Sequence, residues 1–278
     1  MGKFDGKVVL ITGGARGQGR SHALRFAAEG ADVAFCDIAA PVDSVPYALS
    51  TPDDLVETVK LVEELDRRCV GVVADVRDQA AMTAFVDQAR TELGRVDFLL
   101  ANAGILSYAP VATMAEDQWD EVIATNLSGV YRAIRAVLPT MIEQRFGRIV
   151  ATSSVAGKGG MLNMAHYSAS KWGVIGLVKS LALEVAQLGI TVNAVCPTTV
   201  ATDMALNEAT YRLFRPDLPS PSQADAIPAF AGMHPMRAPW IDAIDVSNAM
   251  AFLCSDEARF ISGETISVAA GLTAGNAG

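Results

Sequence analysis

The chain has 278 residues, 51% of which are hydrophobic, and a formal net charge of −9 at pH 7. Because phosphate binding needs a basic face, this acidity argues against nucleic acid as a partner. Charges, glycines or prolines interrupt every apolar run before membrane-spanning length, and no cleavable leader precedes the first strand-like run, so we expect a soluble, cytoplasmic protein with no membrane partner.

Cysteine and histidine spacing gives no sign of disulfides or of a metal site. Cys36, Cys69, Cys196 and Cys254 are far apart and form no CxxC pair, so we expect reduced thiols. The three histidines are also separated. Since no Cys, His or Asp cluster has the spacing of metal ligands, we expect no metal.

Strand-like and helix-like segments alternate along a single predicted domain over residues 1–278. Near-continuously hydrophobic runs, typical of strands buried on both faces, cover residues 8–12, 33–37, 70–75, 98–102, 148–153, 191–196 and 265–268. Helical periodicity covers residues 17–29, 53–67, 78–93, 117–144, 167–187 and 245–253. This alternation predicts an α/β fold with a parallel sheet built from βαβ units.

Two connections are longer than the roughly 2 to 6 residues usual between elements of α/β proteins. One, the insertion at residues 38–52, is rich in Pro and Ala and follows the second strand. The other, residues 201–240, holds large apolar residues among several prolines. Long connections are either functional or disordered, and we interpret residues 201–240 as a substrate-side lid.

The first strand runs into the segment TGGARGQG, residues 12–19, after which a helical pattern begins. Glycines at such a turn let the backbone approach a pyrophosphate, whose charge is stabilised by the helix N-terminus. The candidate nucleotide contacts here are Gly13, Arg16, Gly17, Gln18 and Gly19. A glycine cluster alone also fits an ordinary turn. The interpretation as a nucleotide site therefore depends on the residues at the ends of the neighbouring strands.

An acidic residue, Asp37, closes the second strand and is followed by Ile38. A carboxylate about 20 residues past the glycines accepts hydrogen bonds from the adenosine ribose hydroxyls, which favours NAD. A 2′-phosphate would be repelled by Asp37, although Arg16 is placed to hold one. An NADPH-dependent carbonyl reductase therefore stays an alternative, as does a plain solvated acid at a strand end.

Small and polar residues also end the third and fourth strands. Asp75 and Val76 follow one of them, and Asn102, Ala103 and Gly104 follow the other. Ligands of open α/β sheets bind outside the carboxyl ends of the strands. Although both segments also fit plain strand-to-helix turns, their shared edge predicts that they contact the nucleotide.

Tyr167 and Lys171 are four residues apart, so on a helix both side chains project from one face. An adjacent ammonium and an oxidised nicotinamide favour the phenolate, which makes the tyrosine a usable base. Ser154 follows a strand and is placed to hydrogen-bond the substrate oxygen, with Ser153 as the competing candidate. Asn126 lies in a helical pattern, where Asn is unfavourable and by itself indicates a helix bend.

The order of these motifs resembles the short-chain dehydrogenase/reductase family over nearly the whole chain. The motifs are the TGxxxGxG start, NAG, the Asn126 segment, Ser154, YxxxK and the late Pro197 segment. The resemblance implies a Rossmann-type, doubly wound parallel sheet of about seven strands with helices on both faces, usually in a homotetramer. It also implies Tyr167 as general acid/base, Lys171 as the group that lowers its pKa and holds the nicotinamide ribose, Ser154 as the substrate-orienting hydroxyl, and Asn126 as support for a proton-relay water.

The resemblance further implies cofactor contacts at Pro197, Val200 and Thr202, the last with the nicotinamide carboxamide. The chain departs from the family pattern in two places. Thr198 stands where the family usually has Gly, and residues 268–271 read VAAG in place of a VDGG-like stretch. These departures leave open the cofactor contacts near Thr198 and the tetramer packing.

The insertion, the GQGRSH run and the PTTV segment at residues 197–200 resemble the mycofactocin-coupled, carveol-dehydrogenase-like subgroup. This resemblance implies oxidation of a secondary alcohol to a ketone, with NAD held in place and reoxidised by a mycofactocin-type, peptide-derived redox carrier. We expect an apolar, cyclic or terpenoid substrate in a pocket lined by Met161, Leu162, Met204, Tyr211, Phe214 and Trp240. A non-catalytic NAD-sensing protein is the alternative of a different class.

The insertion begins beside Asp37 and ends at Thr51, a predicted helix N-cap followed by Pro52. Prolines at positions 41, 46 and 52 restrict the chain and lower the entropy cost of ordering it. We interpret the insertion as a cover over the adenosine half of NAD that slows its dissociation. The alternative is a mobile surface loop.

Overall fold

Seven strands form one parallel sheet in the order β3-β2-β1-β4-β5-β6-β7. The strands are β1 Val8–Thr12, β2 Asp32–Asp37, β3 Cys69–Val73, β4 Phe98–Ala101, β5 Gly147–Thr152, β6 Ile190–Pro197 and β7 Thr265–Val268. The computed structural model describes residues 2–275, so both ends of the predicted domain, Met1 and residues 276–278, lie outside the described residues. The predicted doubly wound α/β fold is confirmed.

Helices cover both faces of this sheet. They are α1 Gly17–Ala28, α2 Pro52–Glu63, α3 Gln79–Leu93, α4 Glu116–Ile123, α5 Gly129–Gln144, α6 Ala165–Val185, α7 Glu208–Phe214, α8 Gln223–Met233 and α9 Ala243–Cys254. Val8 and Leu10 of β1 point into the core under α3, α5 and α6, whereas Val9 and Ile11 point into the core under α1, α2 and α9. Burial on both faces explains why the strand reads as an unbroken hydrophobic run. Within residues 2–275, no helix is long and apolar enough to cross a membrane.

The order in which strands are added to the sheet changes side between β3 and β4. After β3 forms one edge, the chain returns to place β4 on the other side of β1. The carboxyl ends of β1 and β4 therefore flank a crevice at the topological switch point, where open α/β sheets bind ligands.

Three sequence predictions differ from the structure. The third strand ends at Val73 and forms a sheet edge, and Val73 is 62% exposed because an edge strand lacks full cover on both faces. The helix predicted over residues 117–144 contains a π turn at Ala124–Ser128 between α4 and α5. The lid contains two helices that periodicity missed, because α7 is only 7 residues long and α8 contains Pro228.

Candidate active site

The glycine turn between β1 and α1 has a backbone that excludes side chains. Gly13 and Gly17 have φ of +69° and +54°, in the left-handed region that favours glycine. A Cβ on Gly13 would lie 2.8 Å from the Cα of Ala103, and one on Gly19 would lie 1.9 Å from the carbonyl oxygen of Gly13. At Gly13, Gly17 and Gly19 the turn therefore carries no side chain, which leaves backbone accessible to a pyrophosphate.

A first cavity of about 940 Å³ opens at the carboxyl ends of β1 to β4. It contains the predicted nucleotide contacts from the glycine turn and from the ends of these strands. These are Gly13, Arg16, Gly17, Gln18, Gly19, Asp37, Ile38, Asp75, Val76, Asn102, Ala103, Gly104 and Thr202. The structure therefore brings together residues that the sequence places up to about 190 positions apart.

Asp37 is held rigidly at the end of β2. One carboxylate oxygen accepts the N–H of Ala15 at 3.0 Å, and the other accepts the N–H of Ile38 at 2.9 Å and the hydroxyl of Ser50. At the end of β3, Asp75 is likewise fixed by an ion pair with Arg77, whose Nη2 lies 2.7 Å away. Both acids thus have set orientations toward the cavity that they line.

Arg16 links the insertion to the lid. Its Nη1 lies 3.1 Å from Oδ2 of Asp203, and its Nη2 donates to the carbonyl oxygen of Ala48. The guanidinium is therefore engaged by protein groups on two sides, which weakens the case for Arg16 as a 2′-phosphate ligand.

The insertion is anchored along its length. The hydroxyl of Tyr47 accepts the N–H of Leu106 at 3.0 Å, and the hydroxyl of Ser44 donates to Glu121. Val42 is buried and belongs to an apolar cluster beneath the insertion. At its end, Thr51 forms a capping box on α2, which confirms the predicted N-cap. Ile38, Val42, Tyr47, Leu49 and Ser50 line the first cavity.

A second cavity of about 970 Å³ contains Ser154, Tyr167, Lys171, Pro197 and Val200. Five residues line both cavities and mark the place where the two meet, namely Gln18, Asn102, Gly104, Thr202 and Met204. The predicted catalytic side chains therefore lie beside the predicted nucleotide site, in a separate but adjoining space.

Tyr167 and Lys171 lie on one face of α6. The Nζ of Lys171 donates to the carbonyl of Thr152 at 2.8 Å and lies 5.4 Å from the centre of the Tyr167 ring. Although Tyr167 is only half-buried, burial around its hydroxyl raises its pKa to about 12, partly offset by a hydrogen bond with Ser154. Burial lowers the pKa of Lys171 to about 8. Tyr167 is therefore protonated at neutral pH unless further positive charge approaches it.

The structure distinguishes the two candidate serines. The hydroxyl of Ser153 donates to the main-chain carbonyl of Lys171 at 2.9 Å, so it fixes α6. Ser154 accepts the N–H of Ala156 at 3.1 Å, and its hydroxyl is close enough to Tyr167 to lower the pKa of the phenol. This arrangement favours Ser154 as the hydroxyl available to a substrate oxygen.

Asn126 lies in the π turn, where the sequence indicates a helix bend, and is fully buried. Its side chain accepts the N–H of Ile105 at 2.8 Å and donates to the carbonyl of the same residue at 2.8 Å. A Cβ on Gly104 would lie 3.3 Å from Asn126 Oδ1 and 3.5 Å from Lys171 Nζ. Asn126 thus lies behind Gly104, close to Lys171, and ties the turn to the segment after β4.

The apolar wall of the second cavity is only partly the predicted one. Met161, Met204 and Phe214 line it, whereas Leu162 is 81% exposed and points elsewhere. Tyr211 and Trp240 do not line this cavity but pack in the apolar cluster of the lid. The lining residues that the sequence missed include Leu106, Tyr108, Thr210, Phe230, Met233 and Leu272. They carry no shared motif, because tertiary packing alone brings them together.

The family model for short chain dehydrogenase matches residues 7–212. The (−)-trans-carveol dehydrogenase of Rhodococcus erythropolis is 46% identical over 275 residues, which are 98% of this chain and 99% of that relative. The crystal structure of carveol dehydrogenase from Mycobacterium avium in complex with NAD superposes with a TM-score of 0.97, at 45% identity over 99% of this chain and 100% of that one. The crystal structure of a short chain dehydrogenase from Mycobacterium paratuberculosis bound to NAD superposes with a TM-score of 0.88. It is 36% identical and covers 98% of this chain and 100% of that one.

Proposed function

Because this chain belongs to the short-chain dehydrogenase family, we propose that it interconverts an apolar secondary alcohol and its ketone with NAD as the hydride carrier. The observation that carries the proposal is the presence of Tyr167, Lys171 and Ser154 in the second cavity, which adjoins the first. A protein that only senses NAD has no need of this set beside an apolar cavity.

The choice of NAD over NADP is supported by charge. Asp37 is oriented at the end of β2, and Arg16 is already paired with Asp203 and Ala48. A 2′-phosphate would meet the carboxylate without a free guanidinium to offset the repulsion. The glycine turn fits the pyrophosphate, and two similar structures contain NAD.

In the proposed oxidation, Tyr167 receives the proton of the alcohol hydroxyl at its phenolic oxygen. Ser154 hydrogen-bonds the same substrate oxygen while the C=O double bond forms. Bound NAD⁺ supplies the acceptor for the hydride that leaves the carbinol carbon. Lys171 places positive charge beside the ring and favours the phenolate form of Tyr167, and we assign Asn126 to the support of a water near Lys171.

The lining of the second cavity supports the proposed substrate class. Met161, Phe214, Phe230 and Met233 offer apolar contacts, and the similar enzyme from Rhodococcus is a (−)-trans-carveol dehydrogenase. We therefore propose a cyclic, carveol-like alcohol as the substrate.

The insertion supports a cofactor that stays bound through many turnovers. Five residues between positions 38 and 50 line the first cavity, and the segment is held by Tyr47, Ser44 and Val42. Electrons must then leave the retained NADH through an external carrier, for which we propose a mycofactocin-type, peptide-derived redox molecule that enters by the second cavity.

We also propose a single domain over residues 1–278 that assembles as a homotetramer in the cytoplasm. Exposed apolar side chains on α5 and α6, with Tyr131 at 47%, Trp172 at 51% and Leu183 at 83%, support association. The four free cysteines suit a reducing compartment. Light scattering on the purified protein measures the assembly directly, and a monomer would contradict it.

The decisive experiment combines cofactor identification with turnover. Purified protein is denatured and the released small molecules are identified by mass spectrometry, and the intact protein is assayed with (−)-trans-carveol and a dye as electron acceptor. We expect NAD in the first measurement and carvone formation in the second. Bound NADP would contradict the cofactor proposal, and NAD without turnover of any cyclic alcohol would favour the sensor.

A further inference from the structure

A buried histidine fixes the turn that follows α8. His234 is 1% exposed, and its Nδ1 lies 2.6 Å from the carbonyl oxygen of Ala238. Its Nε2 lies 2.7 Å from Oγ1 of Thr198. Because a carbonyl oxygen only accepts, Nδ1 donates to Ala238, and in the tautomer with hydrogen on Nδ1 alone Nε2 accepts the hydroxyl proton of Thr198.

Both departures from the family pattern meet at this turn. Thr198, which stands where the family usually has Gly, hydrogen-bonds His234 in this turn. The VAAG segment contacts the same turn, because the N–H of Met236 donates to the carbonyl of Ala270 at 3.2 Å. Gly271 has φ of +86°, and a Cβ there would lie 3.1 Å from Pro235. The turn over residues 234–238 therefore forms hydrogen bonds with the residue after β6 and with the segment after β7.

The turn over residues 234–238 also holds part of the wall of the second cavity. Helix α8 ends at Met233, and both Met233 and the fully buried Phe230 line that cavity. Thr198 lines it too, one residue after β6 ends. The hydrogen bond between Thr198 and His234 thus joins the end of β6 to the residue that follows α8.

We propose that Thr198 and His234 are positioning residues that hold α8 against the substrate and thereby determine the affinity for a bulky apolar alcohol. The inference rests on the proposed function, in that it takes the second cavity as the alcohol site. Neither residue exchanges a proton with the substrate. Their loss should therefore move KM and leave kcat nearly unchanged.

The test compares Thr198→Val, which keeps the shape but removes the donor, with Thr198→Ser, which keeps the hydroxyl. With (−)-trans-carveol, we expect Thr198→Val to raise KM about 10-fold with kcat within about twofold, because a buried acceptor loses its partner. Thr198→Ser should stay within about twofold of the wild type. The exposed Thr113→Val is the matched control for the same chemical change.

Hydrogen exchange supplies a readout independent of turnover. In Thr198→Val the amides of α8 should exchange faster while those of α1 do not change, and in Thr198→Ser both should match the wild type. If the wild type does not oxidise carveol, the proposed substrate is contradicted. Hydrogen exchange in α8 then tests the role of Thr198 and His234 by itself. The inference would be overturned if exchange in α8 were unchanged in Thr198→Val, or if Thr198→Ser raised KM as much as Thr198→Val does. It would also be overturned if Thr198→Val lowered kcat without a change in KM, or failed to fold.

Discussion

Removing one hydroxyl from the insertion, by Tyr47→Phe, should speed the release of NAD. In the closed arrangement the Tyr47 oxygen accepts the N–H of Leu106 at 3.0 Å. The phenylalanine leaves this N–H without its partner while the insertion is closed, whereas water satisfies it when the insertion opens. An unsatisfied buried donor costs about 1 to 3 kcal/mol, so the population of the open form should rise by about 5- to 150-fold.

The measurement loads both proteins with NADH and follows its release by fluorescence after a chase with excess NAD. Tyr131→Phe is the control, because Tyr131 is a 47% exposed side chain on α5. We expect faster release from Tyr47→Phe alone, with an unchanged circular dichroism spectrum. Equal release rates from Tyr47→Phe and the wild type, both folded, would refute the interpretation of the insertion as a cover.

Three further predictions concern the chemistry. Tyr167→Phe should lower kcat at least about 100-fold while NAD binding stays within a small factor, because only the proton-transfer hydroxyl is lost; near-normal kinetics would exclude this acid/base. Asp37→Ala should narrow the preference for NAD over NADP in titrations of both nucleotides, and a wild type that already prefers NADP would contradict the prediction. Burial raises the pKa of Tyr167 to about 12, so loss of its proton should limit oxidation, and kcat/KM for the alcohol should rise from about pH 7 to about pH 9. Ketone reduction uses the protonated phenol, which predominates throughout this range, so its kcat/KM should stay level. A flat profile for oxidation would be evidence against Tyr167.

The residues that gather in the first cavity were predictable from the sequence because their signals are local. Glycines after a strand, an acid at the end of the next strand and small residues at two further ends each lie in short segments, and a parallel sheet brings strand ends to one edge. Asp37 and the glycine turn therefore needed no tertiary information beyond the fold class. The choice between Ser153 and Ser154 did need it, because neighbouring residues differ only in where their side chains point.

The substrate half was much less predictable from sequence. Its hydrogen bonds join residues far apart in the chain, as in Tyr108 with Thr210 at a separation of 102 positions and Thr198 with His234 at 36. No periodic pattern links such positions. The two lid helices were missed for a related reason, since a short helix packed by tertiary contacts needs little propensity of its own.

The bridge made by Arg16 has a consequence for the order of events in turnover. One guanidinium is shared by Ala48 of the insertion and Asp203 of the lid, so each segment helps to fix the side chain that the other segment contacts. Occupancy of the alcohol cavity, if it holds the lid in place, should then delay departure of the nucleotide, and by thermodynamic reciprocity the nucleotide should tighten binding of the alcohol. We expect carvone to slow NADH release from the wild type but not from Asp203→Ala, which has no side-chain acceptor for Arg16. Equal slowing in both proteins would show that the two ligands leave independently of this bridge.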